Sequence, residues 1–252
     1  MAKRADENNS DHPASDAGGA LSTRGLRVIR RQTLKERIYQ ELRKALQEGK
    51  FEPGESITVK LLEQELGGGT MPIRETIQRL AAEGALINLP TGRVKVPLFT
   101  ADEFDEIKEI RLRLEGLAAR NAAIRLSDED FARIELSHQR LMSVATGNTE
   151  WGEIVHLNYV FHFAIYEAAR SPHLLSMIDS LWLRVSPLLS IPFKKPAKVR
   201  AEWVLGHEHN QLRLLDALKQ RDGKAAEAVI REIILGSAAW YHRHHQFAAE
   251  PL

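Results

Sequence analysis

The stretch from residue 98 to residue 246 restricts the fold more than any other part of the sequence. Apolar residues recur there at helical spacing with few helix-breaking residues, in six segments at about 101–126, 127–146, 150–170, 172–190, 200–221 and 224–245. Side chains three or four positions apart lie on one face of a helix, and helices of this length can bury those faces against one another. The sequence therefore predicts an all-helical bundle.

A shorter pattern of elements precedes the bundle. Three helical segments, beginning near Thr33, Val59 and Pro72, are followed by ALINLPTGRVKVP, in which apolar residues alternate on both sides of a Pro-Thr-Gly turn. Such alternation around a turn is typical of a β-hairpin. Three helices and a hairpin in this order predict a winged helix-turn-helix. The predicted fold class is mainly α, with this domain at the N-terminus and a bundle of six to seven helices at the C-terminus.

The third helix of a winged helix-turn-helix packs its apolar side on the first two helices and offers the opposite side to the major groove of DNA. In this sequence Ile73 and Ile77 belong to the apolar stripe. Thr70, Arg74 and Gln78 lie at helical spacing on the other side. We therefore expect these three side chains to face DNA.

Charge is distributed unevenly along the chain, although the net charge is only +1. Residues 24–97 carry 14 Lys and Arg against 9 Asp and Glu, whereas residues 98–252 carry 19 against 21. A segment that approaches DNA gains from a basic excess, because each neutralised phosphate releases counterions. The excess favours DNA binding by the N-terminal domain, although a chance fluctuation would give the same count.

Three regions follow from these patterns. Residues 1–28 are polar and aperiodic and are predicted to form a disordered arm. Residues 29–98 are predicted to form the winged helix-turn-helix, and residues 99–246 an all-α domain for effector binding and dimerisation.

The chain has no cysteine, which excludes disulfides and thiolate chemistry. No segment has the apolar length of a signal peptide or a membrane span, so we expect a cytoplasmic protein without membrane contact.

The N-terminal residues resemble a known family. EGKFEPGESI, KLLEQELGGGTMPIRETIQRLAAEGAL and TGRVKV follow one another as the turn, helices and wing of GntR-type winged helices do. The family usually has Val-Ser-Arg where this chain has Gly68, Gly69 and Thr70. One recognition arginine is therefore missing while Arg74 remains, and we expect altered operator choice or weaker binding. The glycines are expected to loosen the turn between the helices.

The resemblance implies a DNA contact set that combines phosphate and base contacts. Lys60 would bind a phosphate, Arg74 would bind a base edge or a phosphate, and the wing tip would approach the neighbouring backbone. Two alternatives stay open, namely Lys60 as an ordinary surface lysine and Arg74 in an internal salt bridge with Glu75 or Glu41. The predicted contact set is Lys60, Thr70, Arg74, Gln78, Gly92 and Arg93.

The bundle resembles the C-terminal ligand-binding domain, named FCD, of the FadR-like subgroup of the same family. EIRLRLEGLAARNAA, LNYVFHFAIYEAARSPHLL and LLDALKQRDGKAAEAVI are similar, in this order, to three segments of that domain. The resemblance implies that a small organic acid binds at the centre of the bundle, often with a metal held by one Asp and three His. The corresponding positions in this chain are Asn158, His162, Gln211 and Ile233.

Only one of these four positions keeps a metal-binding side chain, so no metal cofactor is predicted. A divalent metal stays an alternative if His207 or His209 replaces a lost ligand, and His162 would otherwise be an ordinary buried histidine. The resemblance also places Arg111 at the cavity, where its guanidinium would bind a carboxylate. The alternative for Arg111 is a surface ion pair with Glu115, four residues later. The predicted effector set is Arg111, Asn158, His162, Gln211 and His207.

These features predict a one-component transcriptional regulator and not an enzyme. It would bind double-stranded operator DNA as a homodimer, and a small organic acid would change that affinity through the linker at 96–101. Repression that the acid relieves is the outcome that the family resemblance favours. The alternatives are a metal-dependent sensor with rearranged histidines and a helical enzyme. For an enzyme, the sequence offers neither a nucleophile with a base nor a phosphate-binding loop.

Overall fold

The computed structural model describes residues 33–89, 93–145 and 151–250. The predicted arm, residues 1–28, and the predicted wing-tip residue Gly92 lie outside the described residues. The chain from residue 34 onward forms one compact unit. Its elements are α1 (Leu34–Gln47), β1 (Ser56–Ile57), α2 (Val59–Leu66), α3 (Thr70–Ala82), β2 (Ile87–Asn88), β3 (Val94–Lys95), α4 (Ala101–Arg125), α5 (Asp128–Ala145), α6 (Trp151–Ala168), α7 (Pro172–Leu189), a 3-10 helix (Ile191–Lys194), α8 (Ala197–Lys219) and α9 (Gly223–His244).

The N-terminal part is a winged helix-turn-helix, which confirms the prediction from the sequence. Helix α3 packs against α1 and α2 around a core that includes Leu42, Leu62, Ile73 and Leu80. The wing strands β2 and β3 pair antiparallel, and β3 also pairs with β1, which gives the strand order β1–β3–β2. Strand β1 was not predicted, because a strand of two residues is too short to show alternation.

The turn between α2 and α3 requires glycine for geometric reasons. Gly67 and Gly68 have φ angles of 67° and 86°, in the left-handed region that other residues rarely adopt. A Cβ atom on Gly68 would lie 2.8 Å from Cδ1 of Ile38 on α1, which is closer than two such carbon atoms normally approach. The glycines therefore shape a tight turn against α1, whereas the sequence suggests only a looser connection.

Helix α4 is the central helix of the bundle. It begins with a capping box, in which the amide of Glu103 donates to the hydroxyl of Thr100 at 3.2 Å and the Glu103 carboxylate accepts from the amide of Thr100 at 2.9 Å. Ala118, Ala119 and Ala122 are buried, and their small side chains allow α9 and α6 to approach α4 closely. The predicted bundle is confirmed, since α4 to α9 and the short 3-10 helix make up the described C-terminal part.

Helix α7 contributes to both parts of the protein. Residues 172–194, which include α7, are long and apolar enough to cross a membrane by length and composition, with a mean hydropathy of 1.3. In the structure Ile178 and Trp182 pack in the bundle core, and Leu183 packs in the core of the winged helix-turn-helix. The apolar character of α7 is therefore used for packing within the protein.

We expect Gly68→Ala to lower the free energy of unfolding by about 1–3 kcal/mol, because alanine is strained at a positive φ and its Cβ would press on Ile38. Urea unfolding of the full chain, followed by circular dichroism, measures the change. Gly69→Ser is the matched control, since Gly69 has a φ of −91° and a Cβ there meets no atom within 4 Å. The control should change stability by no more than a few tenths of a kcal/mol. Equal destabilisation by both substitutions would contradict the role of Gly68.

Candidate nucleic-acid interface and ligand cavity

The outer side of α3 carries the three polar residues that the sequence assigns to DNA. Thr70, Arg74 and Gln78 are exposed, whereas Ile73 on the opposite side is fully buried. Lys60, in the first turn of α2, is also exposed. The four polar side chains are thus accessible to a duplex, and their contact with DNA stays a prediction.

Arg74 makes no ion pair within the part of the chain that the structure describes. Its neighbour Glu75 pairs with Lys35 of α1 at 2.7 Å. The internal salt bridge from Arg74 to Glu75 or Glu41, which the sequence leaves open, is therefore not formed among the described residues. The guanidinium of Arg74 keeps its hydrogen-bond donors for an external partner.

Arg79, further along α3, has a structural role instead. Its guanidinium lies 3.4 Å from the ring centroid of Tyr39 and pairs with Glu36 at 2.9 Å and with Glu83 at 3.3 Å. The Tyr39 hydroxyl also donates to Glu83 at 2.9 Å. Tyr39 and Glu36 belong to α1, so these contacts hold the recognition helix on α1. The guanidinium of Arg79 is paired within this cluster, whereas Arg74 is not part of the cluster.

The N-terminus of α3 lacks a side-chain cap. The N-cap residue Gly69 makes no side-chain hydrogen bond, so no cap satisfies the first backbone N–H groups of the helix. Such groups attract phosphate oxygens. The hydroxyl of Thr70 donates to the carboxylate of Glu63 on α2. Met71 beside it is 66% exposed and was not predicted as a surface feature, because an apolar residue in a helix is usually part of the core.

The wing hairpin presents one arginine of the predicted set. The amide of Leu89 donates to the carbonyl of Arg93 at 2.9 Å, which closes the hairpin beyond the β2–β3 ladder. The side chain of Arg93 is exposed. A cation at this position can approach the backbone beside a helix that lies in the major groove.

A cavity of about 80 Å³ lies inside the bundle and is lined by residues of α4 to α9. Aromatic and aliphatic side chains, including Trp182, Trp203 and Tyr241, form most of its wall. The structure brings together residues that are distant in the sequence, because each helix contributes one face. All of the predicted effector set line this cavity, namely Arg111, Asn158, His162, His207 and Gln211.

Arg111 and Glu115 form a buried ion pair at the cavity. Nε of Arg111 lies 2.5 Å from Oε1 of Glu115, and the two side chains are 14% and 2% exposed. The hydroxyl of Tyr166 donates to Oε2 of the same carboxylate at 2.6 Å. Burial has the largest single effect and lowers the pKa of Arg111, but the charge and hydrogen bond of Glu115, together with Tyr166 and Tyr241, raise this pKa overall, so the guanidinium stays charged. The sequence leaves a surface ion pair between Arg111 and Glu115 as an alternative. The structure contains this ion pair, but inside the bundle.

The guanidinium of Arg111 retains donors for a second acceptor. Arg111 binds Glu115 through Nε and Nη2, and its Nη1 has no hydrogen-bond partner among the described residues. Lys108, one turn earlier on α4, also lines the cavity, and its Nζ lies 3.0 Å from Asp105. Lys108 was not predicted, although its spacing of three residues from Arg111 places both on one face of α4. Two cationic side chains therefore reach the cavity from one helix.

The described side chains around the cavity carry a net charge of one positive unit. Lys108 and Arg111 are cationic and Glu115 is anionic. Burial, aided by the positive charge of Arg111, lowers the pKa of His162 to about 3. Burial also lowers the pKa of His207, so both histidines are neutral at physiological pH. Asp105 lies outside this lining but 3.0 Å from Lys108, so it offsets part of the positive charge.

Gln211 is buried at the cavity without a hydrogen-bond partner. The residue is 1% exposed, and its Oε1 has no partner within the described part of the chain. An unpaired buried polar atom costs about 1–3 kcal/mol. A ligand that supplied the missing partner would remove this cost.

The two histidines that the sequence offers as replacement metal ligands are not available for that role. Nδ1 of His207 donates to the carbonyl of Trp203 at 2.8 Å, and its Nε2 lies 2.9 Å from Oγ of Ser237. Both ring nitrogens are therefore engaged. His209 is exposed and does not line the cavity.

The cavity does not fit a divalent metal ion. Asn158, His162, Gln211 and Ile233, which the resemblance assigns to the ligand positions, all line it. One imidazole, two amides and one hydrocarbon side chain offer too few donors for zinc or a similar ion. Across the described residues there is also no group of three or more His, Cys, Asp or Glu that could hold a metal.

Known proteins share both parts of this architecture. The family model for bacterial regulatory proteins of the gntR family matches residues 34–96, and the FCD domain model matches residues 106–236. The chain is 30% identical over 210 residues to the HTH-type transcriptional regulator McbR of Escherichia coli, covering 82% of this chain and 92% of McbR. It is 28% identical over 192 residues to the HTH-type transcriptional regulator YdhC of Bacillus subtilis, covering 75% of this chain and 83% of YdhC.

Two solved structures have the same fold over most of the chain. The structure of Escherichia coli McbR/YncC matches with a TM-score of 0.76 and 29% identity, covering 85% of this chain and 100% of that chain. A GntR regulator from a Rhodococcus species matches with a TM-score of 0.69 over 84% of this chain and 99% of that chain, and at 18% identity this likeness supports the fold alone. The FCD match over more than half of the chain and the similarity to McbR identify the protein as a transcriptional regulator of the GntR family that carries an FCD domain.

Proposed function

We propose that the protein binds a double-stranded operator as a homodimer and that a small organic acid in the bundle cavity controls its operator affinity. The observation that carries this proposal is the buried Oε1 of Gln211, which lines the same cavity as the Arg111–Glu115 pair and has no hydrogen-bond partner among the described residues. Oε1 of Gln211 and Nε1 of Trp182 are buried atoms of the lining without a partner among the described residues, and a ligand in the cavity would supply partners for them. Binding of the acid releases the operator, so the protein acts as a repressor that the acid relieves.

The exposed side of α3 supports the DNA-binding part of the proposal. Arg74 is exposed and makes no ion pair among the described residues, and an arginine of this kind can contact guanine or phosphate through two donors. Lys60 would hold a phosphate, and the uncapped amides at Thr70 would hold another. Gln78 would reach a base edge, and Gly92 and Arg93 would form the wing contact.

A homodimer supplies the affinity that one winged helix lacks. Two related half-sites spaced along a duplex match two copies of the same chain related by a two-fold axis. A regulator of this kind acts where DNA is, so we propose a cytoplasmic location without membrane contact. The regulatory names of the relatives agree with a role in DNA binding and not in catalysis.

The lining of the cavity supports an acid with one negative charge and an apolar body. Nη1 of Arg111 and Nζ of Lys108 would hold the carboxylate, and the aromatic wall would contact the hydrocarbon part. Asn158, His162 and Gln211 would bind further polar groups of the ligand. A carboxylate at this position would be attracted by both cations, of which Lys108 also lies 3.0 Å from Asp105.

Arg74→Ala should weaken specific operator binding roughly 5- to 150-fold, since loss of an arginine contact to a base costs about 1–3 kcal/mol. The test DNA is a duplex that the wild-type protein selects from a random library, and fluorescence anisotropy at fixed salt gives the dissociation constant. Arg140→Ala removes an exposed arginine of α5 and is the matched control, which should bind like the wild type. Wild-type affinity of Arg74→Ala would show that Arg74 is not a DNA contact.

Carboxylic acids compared with their own amides test the class of ligand. In a panel of phenylacetate, benzoate and hexanoate, we expect an acid to raise the melting temperature of the wild-type protein, because a ligand of the folded state stabilises that state. Its amide should give a smaller shift, because it lacks the charge that Arg111 and Lys108 bind. EDTA should leave the shift unchanged. Loss of the shift with EDTA would favour the metal-dependent sensor.

Arg111→Met combined with Glu115→Gln tests which residue holds the acid. Changing both residues avoids leaving the Glu115 carboxylate buried without a partner, which would destabilise the protein by itself. The paired variant should lose most of the acid-induced shift in melting temperature. Arg113→Met removes an exposed arginine from the same helix and should keep the full shift. A full shift in the paired variant would contradict the assignment of Arg111.

A further inference from the structure

Asp179 of α7 connects the winged helix-turn-helix with the bundle. Its Oδ2 lies 2.5 Å from Nη2 of Arg43 on α1, and its Oδ1 accepts from Nε2 of Gln47 on α1 at 3.3 Å. Oδ1 also accepts from the hydroxyl of Tyr159 on α6, at 3.1 Å. One carboxylate of α7 thus holds three side chains from two other helices, α1 and α6. Two of these side chains belong to the first helix of the DNA-binding part.

The ion pair between Arg43 and Asp179 is largely withdrawn from solvent. The side chains are 15% and 30% exposed, unlike the many pairs on the protein surface. Burial has the largest single effect and lowers the pKa of Arg43, but the charge and hydrogen bond of Asp179, together with Tyr39 and Tyr159, raise this pKa overall. Burial and the charge of Asp179 both raise the pKa of Tyr159, so its hydroxyl keeps the proton that it donates. A partly buried charged network of this kind depends on geometry more than an exposed pair does.

Tyr159 also touches the wall of the cavity. Its ring stacks on Phe163 at a centroid distance of 3.9 Å and meets Trp182 edge-on at 6.0 Å. Trp182 lines the cavity, and its ring lies 5.2 Å from the guanidinium carbon of Arg111 and 5.3 Å from the ring of His162. A continuous series of side-chain contacts therefore connects Arg111 with Asp179 through Trp182 and Tyr159.

Helix α1 continues the path to the recognition helix. It packs directly against α3, and the Arg79 cluster holds α3 on it through Tyr39 and Glu36. A shift of α1 relative to α7 would therefore move the side of α3 that carries Arg74. Packed elements pass on such shifts because a close-packed interior does not deform continuously.

We propose that Asp179 is a positioning residue that transmits occupancy of the cavity to α1. A ligand in the cavity changes the placement of α1 and thereby the affinity for operator DNA. This inference rests on the function proposed above. A carboxylate bound at Arg111 changes the contact between this guanidinium and Trp182. The Trp182 ring then moves against Tyr159, and the Tyr159 hydroxyl changes its hydrogen bond to Asp179. Asp179 in turn holds Arg43 and Gln47 of α1.

The sequence predicts that the linker at 96–101 couples the cavity to the DNA-binding part. In the structure this linker is packed within the protein. Val96 and Phe99 are buried, and the carbonyl of Phe99 accepts from the amide of Ala248 at 2.9 Å. The linker is thus packed against the C-terminal segment. A side-chain contact between α1 and α7 gives the cavity a second route to the DNA-binding part, beside the covalent one.

Operator DNA can serve as the perturbation in a test, because coupling between two sites is reciprocal. The duplex selected by the wild-type protein is added to the full chain, and hydrogen exchange is followed in residues 154–166 and 178–189, which contain much of the cavity wall. In the wild type, DNA should change the deuterium uptake of both segments. Asp179→Asn should lose most of this DNA-dependent difference. Residues 128–138 of α5, which do not line the cavity, provide the internal reference.

Tyr159→Phe is the second variant, because Asp179→Asn leaves Arg43 without its charged partner and lowers stability. Tyr159→Phe removes one hydroxyl and keeps the aromatic packing, and it should also lose most of the difference. Glu232→Gln breaks the exposed pair between Arg213 and Glu232 that joins α8 and α9, and this control should keep the wild-type response. A merely structural role would raise exchange equally with and without DNA and would leave the difference unchanged.

If the wild-type protein binds its operator but the deuterium uptake of the cavity segments does not change, the role of Asp179 is overturned. The proposal that the protein binds DNA would still stand. A full DNA-dependent difference in both Asp179→Asn and Tyr159→Phe would also overturn the role of Asp179. Failure of the wild-type protein to select any duplex would overturn the proposed function, and the coupling through Asp179 with it.

Discussion

The contact between α1 and α7 is the constraint on which the relation between cavity and DNA surface depends. Leu183 of α7 is 1% exposed and packs in the core of the winged helix-turn-helix, while Ile178 and Trp182 of the same helix pack in the bundle. Separation of the two parts would expose Leu183, which costs about 1.5–3 kcal/mol, and would leave the partly buried Arg43 without its partner. Side chains of α7 therefore belong to the hydrophobic cores of both parts.

The cavity holds charge in an apolar interior, and this determines what it can bind. A guanidinium cannot stay buried unpaired, so Glu115 accompanies Arg111 and Tyr166 donates to the same carboxylate. The pairing is incomplete at Nη1 of Arg111 and at the buried Oε1 of Gln211, neither of which has a hydrogen-bond partner among the described residues. Three of the four positions that hold a metal in the FadR-like subgroup are Asn, Gln and Ile in this chain, so in the function proposed above the side chains bind the ligand directly.

Two arginines of α3 illustrate how similar residues acquire different roles. Arg79 lies over Tyr39 and pairs with Glu36 and Glu83, which fixes the recognition helix on α1. Arg74 is exposed and unpaired among the described residues. Nothing in the local sequence separates them, because each has a glutamate within four positions. The difference arises from the position of α1, which reaches one side of α3 only.

The sequence by itself determined the long helices and the wing, since the helical periodicity after residue 98 and the alternation around the wing are local properties, whereas the two-residue strand β1 has no such pattern. The resemblance to the FCD domain, and not helical spacing, supplied the effector set and the substitutions at Asn158, Gln211 and Ile233. All of these residues line the cavity, and the role of the effector set in binding stays a prediction. Only the tertiary structure decided that the Arg111–Glu115 pair is buried, that Lys108 reaches the cavity and that Asp179 joins α1 to α6 and α7. Burial and pairing depend on side chains from helices far apart in the chain, and only packing brings these within hydrogen-bond distance.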